Sequence, residues 1–199
     1  ENIDVDYAVS KKITCLNAPE ANRDAVGEHA LMMLLTLLNK LMKADTEVRK
    51  GIWLREENRG IELQGKTVGI IGFGNMGSAF AKKLSGFDVN IIAYDPYKTI
   101  DTVEYPYIKQ VSLVQLQKEA DIISLHVPLT TETKYMINDT FINLCKKEIY
   151  IINTARGKCV NTADLVKHLK TGKVKGTCLD VHEYETSSFE KLETLPEPF

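Results

Sequence analysis

From Gly65 to Leu179, short uninterrupted apolar runs alternate with amphipathic helical patterns, and nothing else in the sequence constrains the fold as strongly. The runs 67–71, 88–94, 121–127, 148–153 and 174–179 read as strands. Between them, 75–84, 111–119, 139–146 and 162–170 read as helices. A strand that is apolar throughout has to be covered on both faces, and strands separated by helices become parallel neighbours. The expected fold is α/β, a doubly wound parallel sheet. No fixed-period repeat or low-complexity tract competes with that expectation.

The remaining features narrow the class. Apolar residues make up 44% and charged residues 26% of the 199 residues, too much apolar surface for a disordered chain. The 25 basic and 27 acidic side chains leave a net charge of −2. No basic excess points to nucleic acid or to an anionic membrane surface. The longest apolar stretch, 31–38, is interrupted by Thr36 and is far too short to span a bilayer. Cys15, Cys145, Cys159 and Cys178 form no CxxC pair and have no accompanying His cluster. Neither a metal site nor a disulfide framework is expected; reduced thiols in a cytoplasmic protein are.

Ahead of the alternating region, Ile3 to Ser10 reads as one or two helical turns and Ile13 to Leu16 as a short strand. Residues 22–50 read as one long helix. Val26, Ala30, Met33, Leu34, Leu37, Leu38 and Leu41 share one side, and Leu31, Met32 and Leu35 lie on the other. A helix apolar nearly all round is buried on more than one face. One face suits its own domain, and the second suits another domain or a second copy of the chain. A homodimer is the expected use of that surface. Residues 51–63 form a polar connection that carries Trp53, the single tryptophan.

The sharpest motif is Gly72-Phe73-Gly74-Asn75-Met76-Gly77. A bare GxGxxG is weak, but this one follows an apolar strand and opens a helix. In that setting each glycine has a separate task. Gly72 permits the tight turn, Gly74 lets the backbone approach a pyrophosphate, and Gly77 lets the helix pack closely on the sheet. The helix N-terminus offers N–H groups and partial positive charge to the phosphates. Asp95, 18 residues beyond Gly77, ends the second strand, close to the ~20-residue spacing at which an acid meets the adenosine ribose. A carboxylate there repels a 2′-phosphate, so the expected cofactor is NAD rather than NADP.

The ordered set of the glycine turn, Asp95, His126-Val127-Pro128-Leu129-Thr130, Asn153-Thr154-Ala155-Arg156-Gly157 and Leu179-Asp180-Val181 with Glu185 resembles the D-isomer-specific 2-hydroxyacid dehydrogenases, in particular their D-3-phosphoglycerate dehydrogenase-like branch. The resemblance covers nearly the whole chain. It implies an NAD-dependent oxidoreductase that interconverts a D-2-hydroxy acid and a 2-oxo acid, and a dimer formed through the cofactor domain. It implies that Arg156 pairs with the substrate carboxylate and polarises the reacting oxygen, using a planar guanidinium fork. Asp180 would bond the nicotinamide carboxamide. Glu185 would pair with a catalytic histidine and keep it a usable acid. Asn75 and Met76 would form the turn over the pyrophosphate, and Val127, Thr154 and Ala155 would line the ribose and nicotinamide. Residues 1–20 would be the end of a substrate-domain half and hinge, 21–186 the NAD-binding domain with its long N-terminal helix, and 187–199 a linker back toward the substrate domain.

Two departures accompany the resemblance. The family's Pro-His-x-Gly segment after the glutamate is not found, and the first half of the substrate domain does not precede Asn2. The chain is therefore expected to be a piece of a longer polypeptide, binding NAD but transferring hydride poorly by itself. Thr186 stands where the family usually has proline. Of the four histidines, His29 is expected to be packed in its helix, His126 to make a structural hydrogen bond beside the cofactor, and His168 to face solvent. His182 is a weak candidate for the acid. Hydroxypyruvate or glyoxylate reduction is the neighbouring alternative. Formate oxidation is disfavoured because that branch is expected to carry an amide at the position of Glu185. An NAD(H)-responsive corepressor-like binding module is the alternative from a different class.

Overall fold

The computed structural model describes residues 3–185. Six strands form one sheet: β1 (Thr67–Ile71), β2 (Asn90–Tyr94), β3 (Ile108–Gln110), β4 (Ile122–Leu125), β5 (Ile149–Asn153) and β6 (Val174–Leu179). Every pairing is parallel, and the order across the sheet is β3-β2-β1-β4-β5-β6. The chain winds one way from β1 to β3, then returns to the other side of β1 at β4. Open sheets of this kind take ligands at that reversal, outside the carboxyl ends of the strands.

Among the described residues seven α-helices accompany the sheet: α1 (Val5–Ser10), α2 (Arg23–Leu38), α3 (Leu41–Arg49), α4 (Asn75–Leu84), α5 (Leu113–Glu119), α6 (Asp139–Leu144) and α7 (Thr162–Lys170). Side chains alternate across each strand, so one strand feeds two cores. Val68, Ile70, Ile91, Ala93, Ile122 and Ile152 pack with Ala30, Leu34 and Leu38 of α2 and Phe80, Ala81 and Leu84 of α4. Ile71, Ile92, Ile123, Leu125, Ile149 and Ile151 pack on the opposite face with Leu116, Phe141, Ile142 and Leu165. Both faces of the sheet are covered, as its continuous apolar strands require.

The expected helix over 22–50 is two helices. It breaks at Asn39 and Lys40, where Lys40 adopts a left-handed φ of 51° and Asn39 Nδ2 donates to the carbonyl of Leu35. Leu34 and Leu38 point into the chain's own core. The apolar surface left over is Met32, Leu41 and Met42, more than half exposed, beside the partly buried Leu31 and Leu35. Ile13 to Leu16 is not a strand, and β3, a three-residue edge strand, was not expected from the sequence. The four cysteines are unpaired thiols. The expected linker over 187–199 lies outside the described residues.

α4 sits tight on the sheet because Gly77 has no side chain. A Cβ there would lie 2.1 Å from the carbonyl oxygen of Gly72 and 3.2 Å from Ile70 Cγ2. Neither neighbour can yield without moving the turn or the strand. Gly77→Ala is expected to lower stability by about 2–3 kcal/mol, read as a shifted urea midpoint at unchanged slope. Gly74→Ala, where no atom lies within 4 Å of the added carbon, is the matched control and should melt like the parent chain.

Candidate cofactor and substrate site

The tops of β1, β2 and β4 are tied by backbone hydrogen bonds. Gly72 N–H donates to the carbonyl of Tyr94 at 2.9 Å, and His126 N–H donates to the carbonyl of Ile71 at 2.8 Å. Gly72 turns the chain with a φ of 90°, and a Cβ on it would meet the His126 carbonyl at 2.5 Å and Val127 Cγ1 at 2.8 Å. The glycine turn and Val127 are thus in contact. α4 then begins at Gly74, its N-cap, which supplies no side-chain cap. The first turn of α4 holds no acidic residue, and the space over Gly74 is open. Uncapped N–H groups facing open space suit a phosphate.

Asp95 stands at the end of β2 with its carboxylate already oriented. Oδ2 accepts from Phe73 N–H at 2.9 Å, and Oδ1 accepts from the N–H groups of Tyr97 and Lys98 at 2.9 and 3.1 Å. The acid therefore also braces the glycine turn. Asn75 does not face the turn alone: its Nδ2 donates to the carbonyl of Pro19 at 3.2 Å, tying α4 to the segment before α2. Met76, next to it in the first turn of α4, is half-buried.

A second group of residues gathers at the carboxyl ends of β5 and β6. Asn153 is buried, and its side chain folds the following loop. Its Oδ1 accepts from Ala155 N–H at 3.0 Å, and its Nδ2 donates to the Arg156 carbonyl at 3.0 Å. Arg156 Nη1 donates back to the Ala155 carbonyl at 2.7 Å. A Cβ on Gly157 would lie 2.0 Å from the carbonyl oxygen of His182, so this loop and the loop after β6 touch backbone to backbone. Asp180 N–H donates to the Asn153 carbonyl at 3.0 Å. Glu185 curls under the same loop: its Oε2 accepts from His182 N–H at 3.1 Å. Glu183 clamps the loop from outside, accepting from Tyr135 Oη–H at 2.9 Å and from Thr162 N–H, at the start of α7, at 3.0 Å. The adjacent carboxylate pushes the Tyr135 phenol up from its ordinary pKa.

Asn153 and Glu183 had no role from sequence reasoning. The signal for Asn153 was present, since a polar Asx residue at a strand end commonly folds its own turn. Nothing in the sequence announced Glu183, whose partners lie 21 and 48 positions away.

The histidines depart from expectation in two cases. His168 is buried, not solvent-facing, with Nε2 at 2.9 Å from Asp139 Oδ1. His29 is not a packed helix residue: it is half-exposed, with Nε2 at 3.0 Å from Asp180 Oδ1. His126 does make a structural hydrogen bond, between Nε2 and Ser124 Oγ at 2.8 Å. His182 Nδ1 accepts from Tyr184 N–H at 3.2 Å, which leaves the ring proton on Nε2, a buried atom with no partner. Thr154 Oγ1 is likewise buried and unpartnered.

The carboxyl edge of the sheet thus presents an uncapped helix N-terminus with open space over Gly74, an oriented acid at the end of β2, and a loop pair that carries Arg156 and Asp180. The family described as D-isomer specific 2-hydroxyacid dehydrogenase, NAD binding domain, matches residues 31–197. The chain belongs to this family and is an NAD-binding domain. It is 39% identical over 196 residues to a D-3-phosphoglycerate dehydrogenase of Methanocaldococcus jannaschii, covering 98% of this chain and 37% of that protein. It is 40% identical over 185 residues to a hydroxypyruvate reductase of Thermotoga maritima, covering 93% of this chain and 60% of the relative. Among solved structures it is similar to the D-lactate dehydrogenase from Aquifex aeolicus complexed with NAD and lactic acid, with a TM-score of 0.84 and 37% identity over 98% of this chain and 59% of that one. The chain thus spans less than two thirds of the length of each.

Burial pushes the His126 imidazole down to about 4. In the unfolded chain it titrates near 6.5. Between these values the unfolded state binds a proton that the folded state refuses, so stability falls as pH drops through the window. The loss from this residue between pH 7 and pH 5 is about 2 kcal/mol. His126→Phe should flatten that part of the slope in urea titrations at the two pH values. An unchanged slope would mean that the ring is not kept neutral by burial.

Proposed function

We propose that this chain is the NAD-binding half of an enzyme that interconverts a D-2-hydroxy acid and a 2-oxo acid. The observation that carries the reading is the backbone contact between Gly157 and His182, which sets the Arg156 loop against the Asp180–Glu185 loop at the same carboxyl edge of the sheet as the glycine turn. In this reading the pyrophosphate rests on α4 at Gly72, Gly74, Asn75, Met76 and Gly77. Asp95 takes the adenosine ribose. Val127, Thr154 and Ala155 line the far ribose and the nicotinamide, and Asp180 accepts from the carboxamide.

When bound, NAD supplies a hydride acceptor at the nicotinamide ring. The chain's own residues then orient the substrate. Arg156 pairs with its carboxylate and draws electron density from the reacting oxygen. Glu185 supports the acid that gives or takes the hydroxyl proton. No ring nitrogen of His29, His126, His168 or His182 bonds to Glu185. We assign the acid to the remainder of the enzyme, since the relatives are longer than this chain. Likeness favours a phosphoglycerate-type substrate, with hydroxypyruvate or glyoxylate as the alternative, because relatives of both names match. Four free thiols fit a cytoplasmic setting. Among the described residues no helix is long and apolar enough to cross a membrane.

Calorimetric titration with NAD and NADP tests the cofactor assignment. Asp95→Asn keeps an acceptor for the turn but removes the charge that opposes a 2′-phosphate, so the NAD:NADP preference should narrow by about tenfold. Gly74→Val should abolish NAD binding while leaving the melting temperature in place, because its side chain fills the open space over α4. Unchanged titrations for both variants would remove the cofactor from this crevice.

We also propose a homodimer through the α2–α3 face, where Leu31, Met32, Leu35 and Leu41 line a shallow groove. Met32→Glu combined with Leu41→Glu should convert the sedimenting species to a monomer without unfolding it. A dimer that survives both charges would place the interface elsewhere.

A further inference from the structure

His29 and Asp180 are 151 positions apart and meet at 3.0 Å through Nε2 and Oδ1. Stability does not explain the contact. Both side chains are half-exposed, and an ion pair or hydrogen bond in such a setting contributes little once the ordering of two side chains is counted. Its location does explain it. We propose that His29 is a positioning residue for the nicotinamide end of the cofactor, holding the Asp180 carboxylate in the orientation that leaves Oδ2 open to the carboxamide. This inference rests on the proposed role of Asp180.

The chemistry is consistent at both ends. The backbone of Asp180 is fixed by its N–H bond to the Asn153 carbonyl, but that leaves the carboxylate free to rotate. A carboxylate accepts only, so the bond to Oδ1 requires a proton on Nε2 of His29. With Oδ1 engaged, the second oxygen presents its lone pairs in one direction. His29 itself is carried on rigid ground. Its neighbour Ala30 is fully buried, and its neighbour Glu28 pairs with Lys83 of α4 at 3.0 Å. Gly27 lets α2 approach α4, since a Cβ there would lie 3.1 Å from the Ala79 backbone. The orientation of Asp180 is thereby referred to the same helix that opens under the pyrophosphate, so one rigid unit sets both ends of the cofactor.

The test compares NAD with ADP-ribose, which keeps the two phosphates and both sugars but lacks the nicotinamide. In calorimetric titrations of the chain, His29→Ala should weaken NAD about three- to tenfold and leave ADP-ribose unchanged. His29→Gln, whose amide N–H can reach Oδ1, should recover most of the loss. An equal loss for both ligands, or a Gln variant no better than Ala, would reduce His29 to a structural residue and overturn the proposal. Asp180→Ala separates the two readings. If it lowers the NAD:ADP-ribose affinity ratio while His29→Ala does not, the positioning role fails and Asp180 stands. If Asp180→Ala leaves the ratio unchanged, the role proposed for Asp180 fails first.

Discussion

Two backbone hydrogen bonds, from Gly72 to Tyr94 and from His126 to Ile71, fix the place where the chain reverses direction across the sheet. Everything at the carboxyl edge is measured from them. They hold the tops of β2, β1 and β4 level, so the loops that leave those strands diverge and a crevice opens between them. The glycine turn can occupy that crevice only because no side chain stands between Gly72 and the loop after β4. Without that approach, α4 would not begin where its N–H groups face open space.

Further along the same edge, a buried amide does comparable work. Asn153 satisfies one donor and one acceptor of its own loop, which is how a polar side chain can sit fully buried at a strand end. The loop it shapes meets the loop after β6 at Gly157, and Glu183 ties that second loop to Tyr135 and the first residue of α7. Arg156, Asp180 and Glu185 therefore hang from a framework of buried or backbone-directed hydrogen bonds. Chemical groups on such a framework arrive at their positions with folding and not with ligand.

The sheet and the glycine turn were legible because their signals are local. β1, β6, α4 and α7 span the ranges the apolar pattern gives, since uninterrupted strands and amphipathic helices write their burial directly into the order of residues. What was not legible depends on distance. β3 is three residues long and lies at an edge, so it has no pattern to show. The break at Lys40 carries neither Gly nor Pro; it shows only in the left-handed backbone of Lys40 and the Asn39 side chain that caps the Leu35 carbonyl. His168 and His29 were misplaced for one reason: the carboxylates that hold them, Asp139 and Asp180, lie 29 and 151 positions away. Helical spacing tells which side of a helix a residue occupies, but not what stands opposite it.

The carboxylate of Asp95 accepts three backbone N–H groups from the very turns that flank the proposed ribose position. In the proposed reading, coenzyme choice and local architecture share one side chain. If Asp95 holds the ribose as proposed, a lineage that drifted toward the phosphorylated coenzyme would replace this acid, and even asparagine, with one acceptor oxygen in place of two, would leave part of the set formed by the Phe73, Tyr97 and Lys98 amides without its partner. Such a change would call for a second substitution that re-braces the turn, so on this reading the fold itself would guard the preference for NAD.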